Sequence, residues 1–76
     1  MKYSNKFHLD LETLCYHYLN LFGERRWLIR SDIERGFIKV DNKVITDPKF
    51  EVYEGSTISN KTKSTLITKN MILLIL

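Results

Sequence analysis

The chain has no alanine and no glutamine, and only one cysteine, one proline, three glycines and two histidines among its 76 residues. Each scarcity removes a class of protein. A lone Cys15 cannot close a disulfide within the chain, so the bridges that hold many small domains together are excluded. His8 and His17 beside one thiol do not offer a zinc-ligand pattern, and no metal or other cofactor is expected. Gly23, Gly36 and Gly55 lie too far apart to build a phosphate-cradling loop. No Ser/His/Asp or Cys/His set is visible, and Glu12, Glu24, Glu34, Glu51 and Glu54 are scattered without forming an acid/base pair. A non-enzyme without a small-molecule substrate is expected. Long apolar runs are missing as well. Met71 to Leu76 is six residues, against the ~20 of a membrane helix. The polar N-terminus does not read as a signal peptide, so no membrane association is expected.

What is present is lysine, asparagine, isoleucine, leucine and tyrosine, the bias that an AT-rich genome imposes, as in organelles, endosymbionts and some parasites. A chain of this length forms at most one domain and buries only ~60% of its unfolded surface, so a partner is the expected source of further stability. Twelve basic against nine acidic residues leave a net charge of +3 and a pI near 9.1. The excess is local. Arg25, Arg26, Arg30, Arg35, Lys39 and Lys43 fall within 19 residues, against Glu24, Asp32, Glu34 and Asp41. A polyanionic partner is indicated.

Residues 1–8 read as a polar lead. From Asp10 the spacing predicts a helix with Leu11, Leu14, Cys15, Tyr18 and either Leu21 or Phe22 on one stripe. Asp10 is placed to cap it by accepting from the Thr13 N–H, and Gly23 to end it. A second helix is expected from about Arg25 to Arg35, burying Ile29 and Ile33 and closed by Gly36, with Arg26 and Arg30 sharing a face. The period then falls to two. Residues 37–41 and 44–46 read as a hairpin bending at Asp41-Asn42, followed by short strands at 50–53 and 57–58 around Gly55. After a polar connector, residues 65–68 and 71–76 are expected to pair about Lys69-Asn70 as an extension (residues 59–76) beyond a domain spanning residues 9–58.

The order of helix, Gly36, strand, two-residue bend, strand, Pro48, strand, Gly55 and strand resembles the S4 RNA-binding domain. That family's core reads as a helix with Ser-Arg-x-x-Ala-Arg, then Leu-Ile-x-x-Gly, a Val-x-Val-Asn-Gly-Lys hairpin, a proline and Gly-Asp-x-Ile. Arg26, Arg30, Ile33, Gly36, the stretch Ile38 to Val44, Pro48 and Gly55 to Ile58 fall on it in order. Ile29 stands at the small alanine, Asp32 at an apolar position, Asp41-Asn42 at Asn-Gly, and Ser56 at the acidic residue after the glycine. The match covers about half of the chain closely and two-thirds loosely.

The resemblance implies an α+β domain, two short helices packed on a small and mostly antiparallel sheet. It also implies a non-catalytic RNA-binding protein, with structured ribosomal RNA as the expected partner and neighbouring ribosomal proteins beside it. The location implied is the ribosome, in a mitochondrial or other organellar matrix or otherwise in the cytoplasm. A free-standing ribosome-associated factor is the near alternative. The RNA-binding residues expected are Arg25, Arg26, Arg30, Lys39, Asn42 and Lys43. Arginines on one helix face can contact phosphates, and a helix start adds free N–H groups to the charge of Arg25. The competing reading of Arg26 and Arg30 is a solvated face paired with Glu24 and Glu34. Trp27 is expected in the core or an interface, with stacking on an unpaired base as the alternative. A rival from another class is a protein-interaction module whose residues 71–76 add a strand to a neighbour's sheet.

Overall fold

The computed structural model describes residues 7–76, so residues 1–6 of the expected lead lie outside it. The fold is α+β, with three helices and two antiparallel sheets. In chain order the elements are β1 (His8–Asp10), α1 (Leu11–Tyr18), α2 (Arg26–Glu34), β2 (Lys39–Val40), β3 (Lys43–Val44), β4 (Glu51–Tyr53), β5 (Thr57–Ser59), β6 (Ser64–Leu66) and α3 (Lys69–Ile75). One sheet has the strand order β3-β2-β5-β6, and the other pairs β1 with β4.

Helix α1 starts where Asp10 accepts from the Thr13 N–H at 2.9 Å, the cap that its sequence predicts. Two more N–H groups of its first turn are satisfied from outside the helix. Leu11 donates to the Phe50 carbonyl and Glu12 to the Pro48 carbonyl. The Asp47-Pro48 turn therefore docks the start of α1, and β4 leaves it to pair with β1 rather than joining the larger sheet. His8, assigned to the lead, is in fact the first residue of a strand.

The first helix is shorter than its apolar spacing suggests. It ends at Tyr18, and Leu19 enters the core instead of Leu21 or Phe22, which are exposed. Gly23, at φ +68°, belongs to the connecting turn rather than to the helix end. That turn is tied by Asn20, whose side chain both accepts from the Glu24 N–H and donates to the Glu24 carbonyl.

Helix α2 matches its expected span and buries Ile29 and Ile33. It closes on Gly36 at φ +84° with the Phe37 N–H reaching the Asp32 carbonyl and the Gly36 N–H the Ile33 carbonyl, a Schellman arrangement. A Cβ at Gly36 would meet Val44 Cγ1 at 3.4 Å, an ordinary contact, so it is the conformation that calls for glycine. In the β2–β3 turn Asp41 (φ +52°) and Asn42 (φ +70°) both adopt the left-handed conformation of a two-residue hairpin loop.

The C-terminal expectation is corrected. Residues 64–66 pair with β5, but residues 69–75 form a helix rather than a return strand. Thr68 caps it by accepting from the Met71 N–H, and Met71, Ile72 and Ile75 turn inward while Leu73, Leu74 and Leu76 face out. Tyr18 of α1 donates its hydroxyl to the Met71 carbonyl. Nor is the tail an appendage. Ile67 and Ile72 are fully buried in the same core as Leu11, Leu14, Ile33, Val52 and Ile58, so the boundary expected after Ile58 has no counterpart in the packing.

Candidate functional site

The α1–α2 pair organises the arginines. Glu12 lies in the first turn of α1 with its side chain only 6% exposed, between the two helices. Its Oε2 accepts from Arg26 Nε and its Oε1 from Arg30 Nε, each at 3.1 Å. Arg26 Nη2 also donates to Thr13 Oγ1 at 2.7 Å, and its guanidinium lies 5.2 Å from the centre of the Tyr16 ring. A carboxylate taken out of water is stable only when it is paired and hydrogen-bonded, and this one meets both conditions through residues one helical turn apart on α2. Arg26 and Arg30 do share a face, as expected, but neither Glu24 nor Glu34 is their partner.

The clamp leaves part of each guanidinium free. The two side chains are 45% and 53% exposed. Glu12 engages Arg30 only through Nε, and its two Nη groups have no acceptor among the described residues. A guanidinium fixed at one edge presents the opposite edge in a defined orientation, the geometry of bidentate phosphate recognition. The cost is electrostatic, because one carboxylate offsets half the charge of the pair.

Arg25 is the N-cap residue of α2 and makes no side-chain capping bond. No acidic residue lies in the first turn of α2. The Arg26 and Trp27 N–H groups there have no backbone acceptor among the described residues, so charge and donors coincide at this helix start. Trp27 is exposed on the same turn, which removes the core reading and leaves a contact surface.

The hairpin cations do not form one patch. Cross-strand partners share a face of a sheet. Lys39 is opposite Val44 and Ser59, whereas Lys43 is opposite Val40, whose other partner is the buried Ile58. Lys39 and Lys43 therefore lie on opposite faces. Lys39 and Asn42 instead share a concavity with Lys61 of the polar β5–β6 turn. Among the expected residues, then, Arg25, Arg26 and Arg30 gather on α2, Lys39 and Asn42 gather between the two hairpins, and Lys43 stands apart.

A second concavity of about 230 Å³ opens between the end of α1, the 20–24 turn and α2, with Cys15, Leu19 and Ile29 at its base and Asp32 at its side. Burial, and then the nearby Asp32 carboxylate, push the Cys15 thiol up to about 12, so it stays protonated and serves as a small apolar side chain. Asp32, at a position where the resembled family carries an apolar residue, lines this opening. The other titratable features lie elsewhere. His8 sits 3.7 Å from Glu51, both side chains exposed, and a hydrogen bond from the Tyr53 hydroxyl to the Glu51 carboxylate raises the Tyr53 pKa above its ordinary range. No cluster of three metal-binding side chains occurs among the described residues, and no helix there is long and apolar enough to cross a membrane.

No family model, no curated protein and no solved structure matches the chain.

Proposed function

We propose that this chain is a non-catalytic RNA-binding protein that holds structured RNA, ribosomal RNA in the first place, through α2 and the β2–β3 hairpin. The single observation that supports this most is the start of α2. There Arg25 and the Arg26 and Trp27 N–H groups, which have no backbone acceptor among the described residues, share a turn with no acidic residue, and Arg26 and Arg30 on the same helix keep part of each guanidinium exposed. Such a surface suits phosphates spaced along an A-form groove, which is recognised by shape because side chains cannot read its deep major groove. The S4-like order of α1, α2, Gly36, hairpin, Pro48 and Gly55 supports the same reading. A ribosomal component with ribosomal-protein neighbours, in an organelle or in the cytoplasm, is the setting that this order and the AT-rich composition favour, with a free-standing ribosome-associated factor next to it.

The test is affinity for an RNA duplex, and co-sedimentation with ribosomal subunits, for wild type and for Arg25→Ala. Arg25 carries no ion pair among the described residues, so its loss reports on binding and not on folding. Weaker binding with an unchanged melting temperature supports the reading, and unchanged binding opposes it.

A second reading, a protein-interaction module, is favoured by the exposed Leu73, Leu74 and Leu76 of the tail. It can no longer work by strand addition, because those residues follow or lie within a helix. An apolar contact of that kind would respond little to salt, whereas RNA binding weakens steeply.

A further inference from the structure

The concavity between the β2–β3 and β5–β6 turns, about 290 Å³ in volume, is lined by Phe37, Lys39, Asn42, Asn60 and Lys61 among others, and by no carboxylate. We infer that it holds one nucleotide of an unpaired RNA segment beside the duplex bound at α2, an inference that rests on the RNA-binding reading and extends it to a second contact.

Three features build the site. The strand register sends Lys39 to the face of the sheet away from Val40 and Ile58, with Ser59 as its neighbour. The turn carrying Lys61 is tied by Asn60 Oδ1, which accepts from the N–H groups of Thr62 and Lys63 and from the Thr62 hydroxyl. Lys61 Nζ lies 4.6 Å from the centre of the Phe37 ring, which is held by the Schellman close of α2 and remains 40% exposed. One ammonium group thus lies against an aromatic ring, and Lys39 and Asn42 line the same concavity, the Asn42 side chain with no hydrogen-bond partner among the described residues.

That combination fits a nucleotide better than a simple anion. Lysines supply the phosphate contact, an aromatic ring supplies a stacking surface, and an amide supplies a donor and an acceptor for a base edge. The volume lies just below the ~300–1,000 Å³ of ligand clefts, a size for a single base and not for a helix. Bases inside an A-form duplex are stacked and cannot enter. Only an unpaired nucleotide can. The contrast with α2 is instructive, since there a buried carboxylate offsets the arginines and here no carboxylate lines the space.

The experiment compares a blunt RNA duplex with the same duplex carrying a single-stranded oligouridine overhang, by fluorescence anisotropy, for wild type, Phe37→Leu and Lys61→Ala. The overhang is expected to tighten wild-type binding by roughly fivefold or more. Both substitutions should abolish that gain and leave blunt-duplex affinity unchanged. Phe37→Leu keeps the charge, so its effect separates stacking from electrostatics. As a check independent of variants, adding oligouridine to the ¹⁵N-labelled wild type should shift the Asn42 side-chain amide signals. No gain from the overhang, or a gain that survives both substitutions, overturns the inference while duplex binding stands. Binding of neither RNA overturns the inference together with the reading beneath it.

Discussion

Removing Arg26 and Arg30 together should destabilise this protein as well as strip it of charge. Glu12 is 6% exposed and its two oxygens are each held at 3.1 Å by one guanidinium. At an effective dielectric near 20, each contact is worth about 5 kcal/mol in gross Coulomb terms. Both guanidiniums are about half exposed, so water screening brings the net value of either pair to ~1 kcal/mol. A single Arg→Ala change leaves the carboxylate one partner and should cost about that amount. The double change leaves a buried carboxylate with no cation, which costs roughly 3 kcal/mol. The excess over the sum of the single changes is then ~1 kcal/mol, the signature of a shared partner.

In a domain whose total stability is about 5 kcal/mol, the double variant would keep about 2 kcal/mol and stay mostly folded, with roughly 4% unfolded at physiological temperature. Urea titrations followed by circular dichroism, on wild type, both single variants, the double variant and Glu12→Gln, measure every term. Glu12→Gln should itself be destabilising, because it removes the charge that both arginines face. Additive costs, or a double variant as stable as wild type, would refute the reasoning. Loss of RNA binding in the double variant would therefore mix lost stability with lost phosphate contact, which is why Arg25 is the better probe.

Further outcomes follow from individual positions. Cys15 should resist iodoacetamide in the folded protein and react once urea unfolds it, as measured by mass spectrometry. Its folded thiol keeps a proton up to about 12, whereas the unfolded chain releases it near the ordinary value of 9.0. Stability should therefore fall as pH rises from 9 toward 12, by about 1.4 kcal/mol per pH unit at most, and Cys15→Ala should lack that slope. Gly36→Ala forces a side chain into positive φ against Val44 and should cost about 1–2 kcal/mol in denaturant titrations. Thr68→Ala removes the cap of α3 and should cost ~1 kcal/mol, whereas the same substitution in a dispensable tail would leave the melting temperature unchanged.

Helix α2 and the hairpin after it were legible because their signals are local. Ile29 and Ile33 mark the buried stripe, Gly36 the stop, and Asp41-Asn42 a turn that needs positive φ. The tail was not, because a short run of apolar residues carries no polar face from which to read a period. The difference between strand and helix lay in Thr68, which caps three residues ahead of Met71. The β1–β4 pair was missed because His8 to Asp10 is too short to show alternation, and its partner lies some forty residues away. At the candidate site, the α2 arginines were visible by spacing alone. Glu12 was not, since a carboxylate buried by its partners looks in sequence like any glutamate in a first helical turn. The faces of Lys39 and Lys43 depended on pairing register, and Lys61 on two hairpins meeting.

The most direct test of the account is a salt titration of RNA-duplex affinity for wild type beside Arg25→Ala. Each duplex phosphate contacted should contribute about −0.9 to the slope of log affinity against log salt, so several contacts give a steep dependence. Loss of Arg25 should weaken binding and reduce the slope by about 1. A flat salt dependence, or a slope unaltered by Arg25→Ala, would contradict phosphate recognition at the start of α2.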